Sequence, residues 1–296
     1  MNTEDQINIV MASDNHYAIL LGALIKSIEV NHKSGEKINL FIIDDGISKE
    51  NQKKIRDSAS IEIVNMHWFK TNAVIPDNIK IPVDKSAFPL TTYLRLFAPY
   101  ILPQGTQKYI YLDVDMIVLE DISKLWQTNL NGNLIAAVQD LSETAGSAWG
   151  GIPNYKELGI ASEAKYFNAG MMIVDVVKWM REDITNKVIK CLHDNIASVN
   201  FADQYGLNVT LVNRWELLDP RWNSFSILDI KDPFLIHYLD IKPIFRSYKN
   251  IPRYQEEFYK YLRLTPWKSH KPIPDYVRLS RKAINRVTKI VSGYLK

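Results

Sequence analysis

Apolar residues fall along the chain in short runs, separated by polar or amphipathic stretches. INIVMAS (7–13) is apolar and rich in β-branched residues, and it stops at once at Asp14, Asn15 and His16. A run of that length bounded by polar groups predicts a buried strand ending in a loop. Residues 17–32 then repeat apolar positions at helical spacing. INLFIID (38–44) predicts a second buried strand, 47–56 a short polar helix capped by Ser48, and IEIVNM (61–66) a third strand. Strand–helix–strand–helix–strand at this spacing predicts an α/β fold, a mostly parallel sheet with helices on both faces.

Residues 67–90 hold Pro76, Pro82 and Pro89 and predict a long irregular connection, a place where α/β scaffolds often carry function. TTYLRLFAPYIL (91–102) reads as helix up to Pro99. KYIYLDVDMIVLE (108–120) is the most strand-like segment, and LIAAVQD (134–140) is another strand. With Gly146, Gly150, Gly151 and Pro153, residues 141–165 read as a flexible loop. YFNAGMMIVDVVKWM (166–180) predicts a strand running into a helix, and 184–196 and 203–212 predict helices. No internal repeat is evident. In the tail, Val277, Ile284, Val287, Ile290, Val291 and Leu295 fall near one helical face, with Arg278, Lys282, Arg286 and Lys289 largely elsewhere.

Composition narrows the class. The 296 residues are 46% hydrophobic and 23% charged, which excludes disorder and collagen-like sequence. The single cysteine, Cys191, excludes a disulfide scaffold and a cysteine-based zinc site, and it fits a reducing compartment. The net charge of +3 is unevenly placed: residues 267–296 hold eight Lys/Arg against one acid, while the other 266 residues hold 28 basic against 32 acidic groups. The expected division is therefore a body over 1–265 and a basic amphipathic tail over 266–296. Such a tail, over 275–296, is expected to meet an anionic membrane surface. A helix packed on the body with a solvated basic face is the other reading of it. No recognition motif points to nucleic acid. The acidic start at Glu4 and Asp5 lacks a secretory n-region, and AILLGALI (18–25) is far short of the ~20 residues of a spanning helix. The chain is expected in the cytoplasm, with the tail at the inner membrane face.

Four constellations could carry chemistry. Asp113 and Asp115 flank Val114; in a strand, alternate side chains share a face, so the two carboxylates would converge. Two such acids between the buried-type runs YIYL and MIVL repel, and a divalent cation relieves this, Mg²⁺ or Mn²⁺ rather than zinc. A solvated strand end is the plain alternative. Ser13-Asp14-Asn15-His16-Tyr17 ends the first strand, where open α/β sheets bind ligands. Tyr17 can stack on a base there; equally, Asp14 or Asn15 can be a simple helix cap. The absence of G-x-G-x-x-G disfavours a dinucleotide site. His237-Tyr238, with Lys242-Pro243 downstream, can complete a carboxylate metal site and neutralise a phosphate, or be an ordinary buried histidine. Asn168-Ala169-Gly170 with Asp203-Gln204 can hold sugar hydroxyls, or be a turn and a cap.

Taken in order, INIVMASDNHYA, DDGIS, TTYLRL, YLDVDMIV, YFNAGMMIVDVVKW, ADQYGLN and HYLDIKP resemble the retaining glycosyltransferases of family 8, from about residue 7 to about 245. That resemblance implies a GT-A fold, a UDP-sugar donor and a divalent metal, usually Mn²⁺. By resemblance, Asp113, Asp115 and His237 bind the metal. Ala12, Asp14, Asn15 and Tyr17 hold uracil and ribose, and Val114 belongs to the donor-binding set. Arg95 reaches toward the donor sugar and diphosphate, and Asn168, Asp203 and Gln204 line the sugar pocket. Asp140 matches a position on the acceptor side, and Lys242 a lysine on the diphosphate. The chain departs from the family at Asp240, where a glycine is expected, with Lys242 one residue early and Ile244 in place of tryptophan. This departure bears on the part carried over to Lys242 and on the strength of donor binding.

The implied reaction moves a hexose, glucose or galactose, to a hydroxyl of a glycan, glycoprotein or glycolipid with retention. Gln204 would lie beside the anomeric carbon, and Asp203 would pair with Arg95 rather than attack. Two rivals stay open: a non-catalytic or weakly active nucleotide-sugar or glycan-binding module on the same scaffold, and a metal-dependent phosphoryl-transfer enzyme, against which stands the lack of a P-loop or kinase motif.

Overall fold

The computed structural model describes residues 6–77, 79–82, 88–276 and 279–280. The first apolar run forms β1 (Gln6–Asp14), followed by α1 (Ala18–Asn31), β2 (Lys37–Asp45), α2 (Lys49–Arg56) and β3 (Val64–Lys70). The three strands pair in parallel. β1 and β2 are covered on both faces, so their runs are buried almost without a break, while β3 at the sheet edge is mostly half-buried. The register sets Ser13 beside Asp44 and Asp14 beside Asp45, so the polar residues that end β1 and β2 share one rim. Ser48 caps α2 as expected, its Oγ accepting the Asn51 N–H at 3.2 Å.

Two early expectations are corrected. β3 begins at Val64, not 61: Ile63 and Val64 both donate to Ser60 O, at 3.1 and 2.9 Å, and close a turn there. Ile61 is left 83% exposed, so the β-propensity of IEI finds no packing to act through. After α3 (Thr71–Val74), residues Leu90–Ile101 form a 3-10 helix that runs through Pro99 instead of a helix that stops before it. Pro99 has no N–H to give Leu96 O in that winding. Thr185 Oγ1 donates to Leu96 O in its place at 2.7 Å, and itself accepts from Trp179 Nε1 at 3.0 Å.

The next elements are β4 (Lys108–Leu112), β5 (Met116–Val118), α4 (Ile122–Trp126), β6 (Ile135–Thr144), β7 (Lys165–Asp175), α5 (Val176–Arg181), α6 (Ile184–Asp194), α7 (Ala202–Thr210) and β8 (Trp215–Leu217). A 3-10 turn (Pro220–Asn223), β9 (Ser224–Phe225), β10 (Leu235–His237) and α8 (Pro252–Leu262) follow. The main sheet has the order β3-β2-β1-β4-β7-β6-β8 and is mostly parallel, with β7 antiparallel to both its neighbours. A second sheet has the order β5-β10-β9.

Over residues 18–25, α1 is apolar all round because it is covered all round. Leu21, Leu24, Ile25 and Ile28 pack with β1 and β2, while Ile19, Leu20 and Ala23 pack with Tyr254, Phe258, Tyr261 and Leu262 of α8. On the opposite face of the main sheet, Tyr93, Phe97, Tyr166, Trp179, Leu192 and Tyr205 share one core.

The segment 108–120 is two strands, not one. β4 lies in the main sheet and β5 in the second, and residues 113–115 cross between them. Residues 141–165 are a packed loop rather than a loose one. β6 continues to Thr144, Ala145 and Gly146 donate to Ala164 O and Ser162 O at 2.8 Å each, and Ile152 is buried. A Cβ on Gly151 would lie 2.5 Å from Ala145 O and 2.6 Å from Ser147 O, so only glycine fits that turn. Beyond residue 265, Trp267 packs on Gly22 of α1, and Ile273 exchanges main-chain bonds with Ile244 and Arg246. Most of the amphipathic tail lies outside the described residues. Among the described residues, no helix is long and apolar enough to cross a membrane.

Candidate active site

The break at 113–115 builds the site. Asp113 N donates to Gly170 O at 2.7 Å, which ties the end of β4 to β7. Tyr238 N donates to Asp115 O at 2.9 Å, and His237 lies opposite Met116 in the second sheet. Two sheets therefore deliver three side chains to one point: ligand atoms of Asp113, Asp115 and His237 all lie within 4.8 Å of one another. The strand-face reasoning gave the right convergence for the wrong reason, because the two acids sit in a crossover and not on one face of a strand.

The electrostatics are tightly arranged. Arg95, almost fully buried, sets Nη2 3.4 Å from Asp113 Oδ1 and Nε 2.9 Å from Asp203 Oδ2. Its Nη1 also donates to Ala169 O, and its guanidinium lies over the Tyr111 ring. Burial alone would push the guanidinium pKa down, but Asp113 and Asp203 outweigh it and hold Arg95 above its ordinary value. Tyr111 donates its hydroxyl to Asp113 Oδ1 at 3.1 Å. Burial nonetheless raises the Asp113 carboxyl. Lys242 Nζ sits 2.6 Å from Asp115 Oδ2, and His237 Nε2 sits 3.4 Å from Asp115 Oδ1. Burial works against the charged form of Asp115, but the Lys242 ammonium outweighs it and holds the carboxyl below its usual range.

Gly170 makes room for this cluster. A Cβ there would lie 2.6 Å from His237 Cε1, 2.9 Å from Asp113 Oδ2 and 3.0 Å from Asn168 Oδ1. The protein's own site side chains lie against Gly170.

Beside the triad lies a polar pocket. Asn168 Nδ2 donates to Asp140 Oδ2 at 2.7 Å, and Gln204 Nε2 to the same oxygen at 3.3 Å. Gln204 Oε1 accepts the Ala169 N–H at 2.9 Å, which fixes the amide's orientation. Asp140 is carried by a stretch of β6 whose pairing with β7 shifts register on either side of Gln139, an irregularity of the kind that re-aims side chains next to sites. Asp203 is fully buried against Arg95, as expected. Ala202, just before it, holds φ at 48°, a left-handed backbone uncommon for alanine. Asp240 holds φ at 55°, the region glycine adopts freely and aspartate tolerates, so the loop keeps a glycine-like path despite the substitution.

The loop after β1 is less uniform than the sequence implied. Tyr17 lies near Lys242, Asp115 and Asp14, and burial raises its hydroxyl pKa. Its ring already stacks on His16, with centroids 4.8 Å apart. Asp14 Oδ1 accepts the Tyr17 N–H at 2.9 Å. Asn15 Oδ1 instead takes Ser48 N and Asn51 Nδ2, at 2.9 and 2.8 Å, and ties the loop to α2. Neither residue is the cap of α1, whose N-cap is Tyr17 without a side-chain bond. Ala12 and Val114 are buried in the two cores on either face of the sheet, so only main chain is left at those positions to face a ligand.

The family model described as Glycosyl transferase family 8 matches residues 8–244. The chain belongs to glycosyltransferase family 8. It is 27% identical over 288 residues to General stress protein A of Bacillus subtilis (strain 168), covering 90% of this chain and 96% of that protein. It is 25% identical over 288 residues to the lipopolysaccharide 1,2-glucosyltransferase of Escherichia coli (strain K12), covering 92% and 82%. The galactosyltransferase LgtC, solved with donor and acceptor sugar analogues, superposes with a TM-score of 0.72 at 24% identity, over 92% of this chain and 99% of that one. This glycosyltransferase therefore has the GT-A fold expected from its motifs.

Two residues of this family 8 site escaped the sequence reading. Tyr111 faces Asp113 from within β4, where it reads as a core aromatic. Asn223, 1% exposed, places Oδ1 3.0 Å from His237 Nδ1 and donates from Nδ2 to Asn168 Oδ1 at 3.0 Å. It ends the 3-10 turn that Asp219 caps, and its neighbours Trp222 and Ser224 gave no signal of a site.

Proposed function

We propose that the chain transfers a hexose from a UDP-sugar to a hydroxyl of a glycan or glycoconjugate, with retention at the anomeric carbon and with a divalent cation, Mn²⁺ or Mg²⁺. The observation that carries this reading is the convergence of Asp113, Asp115 and His237 between two cationic side chains. The donor set fits such an ion: two carboxylates and one imidazole suit Mn²⁺ or Mg²⁺ chemistry. Asp115 Oδ1 is buried with no hydrogen-bond partner among the described residues, so it has capacity to spare. When bound, the cation supplies Lewis-acid stabilisation of the diphosphate leaving group.

In this reading the protein's own groups do the rest. Arg95 and Lys242 bring fixed positive charge to the side where the leaving group gains negative charge. Asn168, Asp140 and Gln204 present acceptors and donors to sugar hydroxyls. Asp203 is sealed against Arg95 and an amide is a poor nucleophile, so neither residue forms a glycosyl intermediate. The acceptor hydroxyl attacks from the face that UDP leaves. The C1–phosphate oxygen bond breaks as the C1–acceptor oxygen bond forms, and the acceptor proton passes to the departing phosphate oxygen. The left-handed backbone at Asp240 weighs against the binding-module reading, whose main support was the missing glycine. The catalytic domain over 1–265, the tail over 266–296 and its membrane contact belong to the same proposal.

On the acceptor side, Trp149 is 63% exposed and stands edge-on to Phe201, with centroids 5.7 Å apart. Gln204 N donates to Phe201 O at 3.1 Å, and Ser142 N donates to Asp140 Oδ1 at 3.0 Å, so this surface adjoins the polar pocket. An exposed indole offers a flat face to the C–H face of a pyranose, and stacking of this kind contributes about 1 kcal/mol. Trp149→Ala is therefore expected to raise the KM for an alkyl hexoside acceptor about fivefold; an unchanged KM would remove Trp149 from the acceptor site.

Incubating the protein with a panel of UDP-hexoses and Mn²⁺ and measuring free UDP tests the function. UDP release with one donor far above the rest is expected. No release with any donor, despite measurable UDP binding, would favour the binding module.

A further inference from the structure

We propose that Asn223 is a positioning residue that holds His237 in the tautomer able to ligate a cation, and that Asn223 is itself oriented by Asn168, which Asp140 and the Gly170 N–H hold in place. The proposal rests on the reading of His237 as a metal ligand. It follows from counting donors and acceptors along one buried chain of side chains.

A carboxylate oxygen only accepts. The Asn168 atom 2.7 Å from Asp140 Oδ2 must therefore be the amide nitrogen, which turns Asn168 Oδ1 the other way. A main-chain N–H only donates, and Gly170 N lies 3.0 Å from that same Oδ1. Two independent partners thus fix one orientation of Asn168. The Asn223 atom 3.0 Å from Asn168 Oδ1 must then be its Nδ2, so Asn223 Oδ1 faces His237. That oxygen lies 3.0 Å from His237 Nδ1 and can only accept. The proton of the neutral ring is therefore on Nδ1, and the lone pair is on Nε2. Nε2 is the nitrogen that faces Asp115 Oδ1, at 3.4 Å.

Asn168, Asn223 and His237 are all buried, so water is poorly placed to take over any link. The chain continues at its far end: Gln204 Nε2 shares Asp140 Oδ2 with Asn168. The ligand imidazole and the sugar-pocket amide are therefore oriented by one polar network. Partners that fix the far nitrogen of a ligating histidine typically change metal affinity by about 10–100-fold when removed.

The test combines two readouts. Long-range ¹H–¹⁵N NMR of histidine-labelled protein without added cation, with His237 assigned from a His237→Gln variant, reports the tautomer. Electron paramagnetic resonance titration of Mn²⁺ in the presence of UDP reports affinity. The wild type is expected to show a protonated Nδ1 and an unprotonated Nε2. Asn223→Leu, similar in size with no acceptor, is expected to lose that preference and weaken Mn²⁺ binding about 10–100-fold. Asn223→Asp keeps an acceptor for Nδ1–H but loses the donor to Asn168 Oδ1, so it is expected to keep the proton on Nδ1 and to lose clearly less Mn²⁺ affinity than Asn223→Leu, a comparison with wild type that stands if the leucine variant fails to fold. A proton on Nε2 in the wild type, an unchanged tautomer in Asn223→Leu, or an equally deep loss in Asn223→Asp would overturn the proposal while leaving the metal site standing. The expected tautomers without any Mn²⁺ binding by the wild type would instead overturn the metal reading, and the proposal with it.

Discussion

Asp115→Asn is expected to reduce UDP release from the preferred UDP-hexose by about a thousandfold or more at saturating Mn²⁺. The substitution keeps the side chain's size but removes a charge that three features depend on. Asp115 Oδ1 faces His237 Nε2 at 3.4 Å, Oδ2 carries Lys242 at 2.6 Å, and Asp115 belongs to the cluster that would hold the cation. Stabilising a departing diphosphate is worth several kcal/mol of barrier, and each 1.36 kcal/mol is about tenfold in rate. Lys242 also loses its buried partner, so a fall in stability is expected alongside; breaking such pairs costs about 3–5 kcal/mol. The urea midpoint should therefore be measured on the same preparation. Activity within about tenfold of wild type, on folded protein, would mean that Asp115 is not where the leaving group is stabilised.

Gly170→Ala is expected to lower kcat/KM about a hundredfold while leaving a folded protein. The added methyl would meet His237 Cε1 at 2.6 Å, Asp113 Oδ2 at 2.9 Å and Asn168 Oδ1 at 3.0 Å. None of these neighbours is free to swing away. His237 is held by Asn223, Asp113 by Tyr111 and Arg95, and Asn168 by Asp140. The strain therefore moves the reacting constellation itself, and misplacement by about 1 Å typically costs about 10²-fold in rate. Overpacking of this kind costs about 1–3 kcal/mol of stability, which a shift in urea midpoint would report. A variant with wild-type kinetics would show that the cluster tolerates rearrangement and is not the reacting centre.

Much of this site was legible in residue order. The ends of β1 and β2 could be found because apolar runs stop abruptly at polar residues, and parallel pairing then sets those ends side by side. Asp113 and Asp115 stood out because two acids between buried runs need a partner. Their geometry was not legible. Nothing in YIYLDVDMIVL announces that the chain changes sheets at 113–115, since both halves favour strand and only the pairing of β5 with β10 separates them. The Asp203–Arg95 pair was anticipated from charge. The bonds from Asn15 Oδ1 to Ser48 and Asn51 were not legible, because an asparagine after a strand looks the same whether it faces a ligand or ties down a neighbouring turn. Asn223 left no trace because its importance lies in two hydrogen bonds to residues 14 and 55 positions away. The loop over 141–165 looked loose from its glycines; Gly151 instead permits close packing.

The central claim is that Asp113, Asp115 and His237 hold one divalent cation beside the diphosphate of a nucleotide-sugar. The most direct test is electron paramagnetic resonance titration of Mn²⁺ with and without UDP, on the wild type and on the Asp113→Asn/Asp115→Asn double variant. One Mn²⁺ per chain, tightened by UDP and lost in the folded double variant, is the expected result. Equal Mn²⁺ binding by both proteins, or no effect of UDP on the wild type, would contradict it.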